Sequence, residues 1–419
     1  MELFVCILAY IVLFLAFSIS DSFRHTLEQF FLCLFVFAIY IGITVISHSY
    51  IENPFVDYFI NIDQIGFYSR SHTLANFSIA DIFNKSFSEY HYSDSPLSYA
   101  FFAMLIQLSR YLGIGDCLLF LKLNTAFFAS LIPVFIYKIV RLKLYDESIW
   151  KPIVVFSIVS PFFLYSCQLM RDVHVALLYS ILCFFAIKPK QIGRYILLLG
   201  LIIITCFLRL ESGFFAVVFV LIALGLKFHK TNLLGKFCVV CLILLIIISS
   251  YSSVLTLMND TLNSYLERSV DVASSDSLGV KLNMLPLPIS VLAKTIFAML
   301  LPFPIWQPFM ENHDYTYLRI FECLFPVYWC VILLSLIHII WTKWRVLDNE
   351  FKYLLILSFL FLTLVSASEF NVRRLMAFYP ILFSVFLIFK HKYKIPIVAY
   401  TGLVIFSLTF LHIIYLNIK

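Results

Sequence analysis

Apolar stretches of about 20 residues, the length an α-helix needs to cross the hydrocarbon core of a bilayer, recur along the whole chain. Few architectures accommodate that pattern. Hydrocarbon offers no water to the backbone N–H and C=O groups, so a spanning chain must satisfy them within helices or closed barrels. Continuous apolar runs, as opposed to alternating ones, specify helices. Of the 419 residues, 62% are hydrophobic and 13% charged, about half the charged fraction of a soluble domain. This argues against a soluble enzyme and a disordered chain. Lys and Arg are scattered, mostly singly and mostly between apolar runs, and never form a basic stripe, so no nucleic-acid partner is expected.

About twelve runs are long enough or nearly so. They lie near residues 2–19, 29–47, 117–140, 152–167, 173–187, 195–208, 213–226, 237–257, 321–341, 353–367, 374–389 and 396–416. The first lacks the basic start and small-residue exit of a signal peptide and is read as a helix. The fold class expected is therefore all-α: a polytopic integral membrane protein, one membrane domain over residues 1–419. It should carry about twelve transmembrane helices, an interfacial helix and a large outer loop after the second helix.

Orientation follows from Lys and Arg, which favour cytoplasmic connectors. Arg24; Lys138, Arg141, Lys143 and Lys151; Lys188, Lys190 and Arg194; Lys227, Lys230 and Lys236; Lys343, Arg345 and Lys352; and Lys390, Lys392 and Lys394 fall between runs or, for Lys138, at the very end of one. They share one side only if the apolar segment 97–113 does not cross. That segment is short and carries Gln107, Ser109 and Arg110 near its end, so an interfacial position suits it. Two long segments, roughly 48–116 and 258–320, then lie on the outer face. The first is acid-rich. The second turns Pro- and aromatic-rich over 285–308, which suits backbone buried in protein or lining a cavity. These segments are where chemistry and substrate binding are expected.

Four constellations carry charge where charge is costly. Asp63, five residues before Tyr68 in the first outer loop, has the chemistry of a general base, although a solvated loop acid is the plainer alternative. Arg171, Asp172 and His174 stand at a helix entrance; an Arg171 to Asp172 pair that merely anchors the helix is equally open. Arg209 and Glu211 break two apolar runs before Gly213; the Arg suits a phosphate, and an ion pair closing a tight turn is the alternative. Arg373 and Arg374 lie on the outer side against the usual bias and call for an anionic partner, either Glu369, lipid headgroups or a substrate phosphate.

Cysteine offers little. The one C-x-x-C, Cys238 with Cys241, lies inside a predicted helix without a second pair, so buried thiols are expected in place of a structural metal. A divalent ion held by Asp63, Asp172 and a histidine is compatible with the residue types, but no ligand spacing calls for it. Glycine is scarce, 11 in all and none spaced as GxxxG, which disfavours a close-packed transporter.

Taken in order, these stations resemble the GT-C superfamily of polytopic glycosyltransferases, which includes protein mannosyltransferases and the lipid A aminoarabinose transferase. The family's first-loop motif, Asp-(Asp/Glu)-x-x-Tyr, is similar to Asp63-Gln64-Ile-Gly-Phe67-Tyr68, with Gln64 in place of the frequent second carboxylate. The Pro-led interfacial helix resembles Ser95-Pro-Leu-Ser-Tyr-Ala-Phe-Phe102 and its continuation to Gly113. Asp172 stands where a second outer acid is found, Arg209 to Gly213 resembles a conserved break, and Arg374-Leu-Met-Ala-Phe-Tyr-Pro380 a late-helix motif. Arg171 before Asp172 is also similar to polymerases of bacterial surface polysaccharides. The resemblance implies an inverting membrane glycosyltransferase of the bacterial inner membrane. Its donor would be a polyprenyl-linked sugar, its acceptor a surface glycan such as O-antigen. Asp63 and Asp172 would be catalytic, with Arg209, Arg373 and Arg374 on the donor phosphate. Tyr68, Arg171, His174 and Glu211 would support the acceptor. A repeat-unit polymerase using a diphosphate-linked oligosaccharide fits the same motifs; a lipid-linked sugar flippase fits them less well, since most charges sit at outer helix ends.

Overall fold

The computed structural model describes residues 23–49, 62–89, 95–144, 149–187, 193–209, 212–213, 215–220, 285–286, 289–300, 320–368, 372–393 and 395–418. Among them every regular element is helical. Among the described residues four helices are long and apolar enough to cross a membrane, over Leu27–His48, Leu118–Arg141, Cys323–Val346 and Ile397–Ile414. The chain is thus an all-α protein with the apolar helices of a membrane protein. The runs at 2–19 and 237–257, the second long outer segment apart from 285–286, 289–300 and 320, Glu211 and Glu369 lie outside the described residues.

Helices are numbered in chain order: α1 (Phe23–Ser49), α2 (Ile62–Leu74), α3 (Ile79–Glu89), α4 (Pro96–Tyr111), α5 (Leu118–Arg141), α6 (Trp150–Val159), α7 (Phe162–Tyr165) and α8 (Arg171–Ile187). After these come α9 (Gly193–Leu208), α10 (Ile289–Leu300), α11 (Ile320–Lys343), α12 (Asn349–Ser368), α13 (Val372–Leu375), α14 (Tyr379–Lys392) and α15 (Ile397–Ile418). Two expected spans are interrupted, each at a proline. In 152–167, Ser160 takes the extended conformation (φ −77°, ψ 163°) that a residue before proline favours, so α6 stops and Pro161 opens the short α7. In 374–389, Pro380 sits in the first turn of α14, where its missing N–H costs nothing. Arg373 and Arg374 therefore belong to the separate turn α13.

α1 and α5 pack antiparallel as the spine. Phe37 meets Phe127 at 5.7 Å between ring centres, and α5 is buried along almost its whole length, Lys122 included. Ion pairs and ring contacts then sort the helix ends into two groups. At one end Arg141 binds Glu28 (3.2 Å), Lys143 binds Asp348 (2.8 Å), Phe351 packs on Phe389 and Lys343 lies over Tyr393. The starts of α1 and α12 are thereby gathered with the ends of α5, α11 and α14, where the basic connectors lie. The starts of α8 and α2, the end of α9 and α13 gather at the opposite end.

α4 does not run the length of the spine. Arg110 near its end grips Asp116, while Phe101 near its start meets Phe128 of α5 at 5.9 Å. It thus runs beside the first half of α5 only, and its 16 residues make about 24 Å of helix at 1.5 Å per residue, short of a bilayer core. The helix ends in a Schellman motif: Ile114 N–H donates to Ser109 O and Gly113 N–H to Arg110 O, both at 3.0 Å, with Gly113 at φ +75°, a conformation glycine adopts without strain. Gln107 and Arg110 reach the carbonyls of the α2–α3 turn at Ala75 and Phe77, so the three short helices form one unit against α5, α8 and α9.

Candidate functional site

Four segments distant in sequence meet at the end away from the basic connectors. Arg209, at the end of α9, donates from Nη1 to Oδ1 of Asp172 in the first turn of α8 (3.0 Å), with both side chains about nine-tenths buried. Arg373 of α13 donates from Nη1 to Oδ2 of Asp63 in the first turn of α2 (2.6 Å) and touches Met170 Sδ at 3.7 Å. Arg373, Arg171 and Arg374 also act on the Asp172 carboxylate electrostatically. Asp172 precedes the apolar stretch 173–187. Burial alone would raise its carboxyl above the ordinary carboxylate value, and the guanidiniums of Arg209, Arg373, Arg171 and Arg374 together outweigh that and hold it below. Of the nine residues singled out from sequence, six converge here: Asp63, Arg171, Asp172, Arg209, Arg373 and Arg374.

The pairing differs from the local pairs weighed from sequence. Asp172 is hydrogen-bonded by Arg209, 37 residues away, and Arg373 finds Asp63, 310 residues away, a partner the sequence motifs did not offer. The two acids also differ in access. The Asp63 side chain is 51% exposed and that of Asp172 only 10%, so of the two only Asp63 is readily reached from outside.

The break after α9 is built around glycine. Gly213 N–H donates to Arg209 O (2.9 Å), and Tyr179 of α8 donates to Ser212 O (2.7 Å). A Cβ at Gly213 would fall 2.5 Å from Cys206 Cα. The turn therefore packs directly on the helix that carries Arg209, and only a residue without a side chain fits.

Of the remaining expected residues, Tyr68 and His174 take other hydrogen-bond partners. Tyr68 donates to the Asp116 carbonyl at 3.4 Å; its half-burial and the Asp116 carboxylate raise its phenol above the ordinary value. It belongs with Arg110, Asp116 and His72 in a network that fixes the α4–α5 turn, with His72 Nε2 2.9 Å from Asp116. His174 lies one turn into α8, its Nδ1 donating to Met170 O (3.1 Å) and its ring enclosed by Phe101, Phe102 and Phe128. Glu211 is outside the described residues.

Sequence reasoning passed over Gln64 as a contact. It is buried, and its Oε1 accepts from Leu169 N–H at 2.8 Å, tying α2 to the loop before Arg171 and Asp172. The available signal was its place beside Asp63. Among the described residues no three His, Cys, Asp or Glu side chains gather as a metal site requires. The carboxylates of Asp63 and Asp172 are both engaged by guanidiniums, and the His174 ring is enclosed by phenyl rings. Comparison with family models, curated proteins and solved structures gives no match.

Proposed function

We propose that this chain is an inverting membrane glycosyltransferase that moves a sugar from a polyprenyl-phosphate-linked donor to a surface glycan at the outer leaflet of a bacterial inner membrane. The observation that carries the reading is the meeting of Asp63, Asp172, Arg209 and Arg373 at one end of the bundle, with Arg171 and Arg374 beside them. Guanidiniums suit phosphate oxygens, and a nearby reachable carboxylate suits an acceptor hydroxyl. In the step proposed, Asp63 takes the proton of the hydroxyl as its oxygen bonds to the anomeric carbon. The bond from that carbon to the phosphate oxygen breaks, and the electron pair leaves with the phosphate, where the arginines offset the developing charge. Asp172, with limited access, orients Arg209 and its neighbours. The donor's lipid tail lies against the apolar helices, in a topology of about twelve spans with the basic end cytoplasmic.

Arg171 beside Asp172 also favours a second reading, a repeat-unit polymerase with a diphosphate-linked oligosaccharide as donor. Purified protein reconstituted with a polyprenyl-linked sugar and a glycan acceptor tests the class: new glycosidic linkages support transfer, whereas unchanged lipid moved between leaflets overturns it in favour of a flippase. In the same assay Asp63→Asn should lower turnover by about 10²–10⁴-fold with no change in the amount of folded protein. Turnover near the wild-type rate would remove Asp63 as the base.

A further inference from the structure

Gln64 is 1% exposed, and one half of its amide is accounted for. Oε1 accepts the Leu169 N–H at 2.8 Å, which fixes the orientation of the amide, since the NH2 group cannot accept that bond. Nε2 is buried and has no hydrogen-bond partner among the described residues. A buried donor left in that state is costly, and the cost is unnecessary if its only task is to hold Leu169. An aliphatic side chain would avoid the orphan donor, and a carboxylate would accept the bond without one.

The surroundings indicate what the donor meets. Gln64 follows Asp63, which Arg373 holds. Arg373 in turn touches Met170, the neighbour of Leu169, so the amide lies in the same knot of chain as the arginines. These groups are donors, and the complement of several converging donors is an oxyanion. We propose that Gln64 is a substrate-contacting residue: its Nε2–H donates to a non-bridging phosphate oxygen of the substrate, alongside Arg373, while its Oε1 stays on Leu169. The inference rests on the phosphate reading of this site and adds a neutral donor to it. A carboxylate at position 64 would present oxygen to oxygen, repelling phosphate and competing for the same guanidiniums.

The test measures binding of a polyprenyl phosphate, without sugar or acceptor, to the full-length protein in detergent. Wild type, Gln64→Glu, Gln64→Met and Arg373→Ala are compared. Gln64→Glu retains an acceptor for Leu169 N–H and puts a charged oxygen in place of the donor; it should bind at least tenfold more weakly at neutral pH, with affinity recovering as the pH falls and the new carboxyl regains a proton to donate, and Gln64→Met separates loss of the donor from the added charge. Gln64→Met should bind weakly at every pH. Wild-type affinity in Gln64→Glu together with weak binding in Arg373→Ala overturns the proposal and leaves the phosphate site standing. No binding by wild type, or equal binding by wild type and Arg373→Ala, overturns both.

Discussion

Arg209 and Asp172 form the most buried ion pair at the site, and such a pair behaves asymmetrically. Losing one partner leaves a charge stranded in the interior at a cost of about 3–5 kcal/mol, whereas replacing both with neutral groups costs far less. Arg209→Met should therefore destabilise strongly in the wild-type background and mildly in an Asp172→Asn background, in a double-mutant cycle read by unfolding in detergent. Gly213 offers a second check. A methyl group there would lie 2.3 Å from Cys206 Sγ and 2.5 Å from Cys206 Cα, so backbone must move. Gly213→Ala should cost about 1–3 kcal/mol and reduce turnover by displacing Arg209. Adding Cys206→Ala should not restore stability, because the clash with the backbone of residue 206 persists; full rescue would show that only the thiol was in the way. The importance of these residues was legible in the sequence as charge placed against apolar runs. Their partners were not, because a pairing across 310 residues leaves no local pattern.

At the scale of elements, the unit of α2, α3 and α4 owes its attachment to polar contacts as much as to apolar ones. Arg110 supplies several, to the Ala75 carbonyl (3.1 Å), to Asn76 (3.0 Å) and to Asp116. The Arg110 hydrogen bond, opposed by modest desolvation and helped by His72, holds the Asp116 carboxyl below its ordinary value. A depressed carboxylate contributes stability that is present above its unfolded value, near 3.9, and is lost as the pH falls through the lower folded value. The contribution is at most about 1 kcal/mol for so exposed a pair. Asp116→Asn should accordingly melt slightly below wild type at neutral pH, with the gap narrowing as the pH falls below about 4; a gap that stays constant or widens as the pH falls would contradict the assignment. The sequence showed α4 as a short apolar helix with a polar end, since Gly113 stops it and Pro96 starts it. It did not show that the polar end is a clasp, because Ala75, Asn76 and Asp116 are recruited through backbone geometry and a loop of six residues between helices.

For the whole molecule, the apolar runs near 29–47, 117–140, 321–341 and 396–416 correspond to α1, α5, α11 and α15, since a continuous run of that length has no other way to satisfy its backbone. Where two runs are broken, proline geometry overrode hydropathy. Exposed aromatic groups mark the two ends: Tyr111 and Trp341 are each 88% exposed, one beside the α4 clasp and the other near the basic connectors. Those are the levels that membrane interfaces favour for Tyr and Trp. Ser69→Cys and Asn349→Cys test the orientation in intact spheroplasts, with wild type giving the background. An impermeant thiol reagent should label the first without permeabilisation and the second only after it; the reverse pattern would invert the topology.

The ion pair between Asp63 and Arg373 also bears on how such a chain is made. Asp63 emerges from the ribosome early and its partner 310 residues later, after α11 and α12 have been synthesised. Until then the cluster of charges is incomplete, because a nascent chain holding the first half of the site lacks Arg373 and Arg374. Competence arrives as a late event of biogenesis, once α13 docks against α2 and the loop before α8. A chain stalled before α13 would hold the spine of α1 and α5 but leave Asp63 without Arg373.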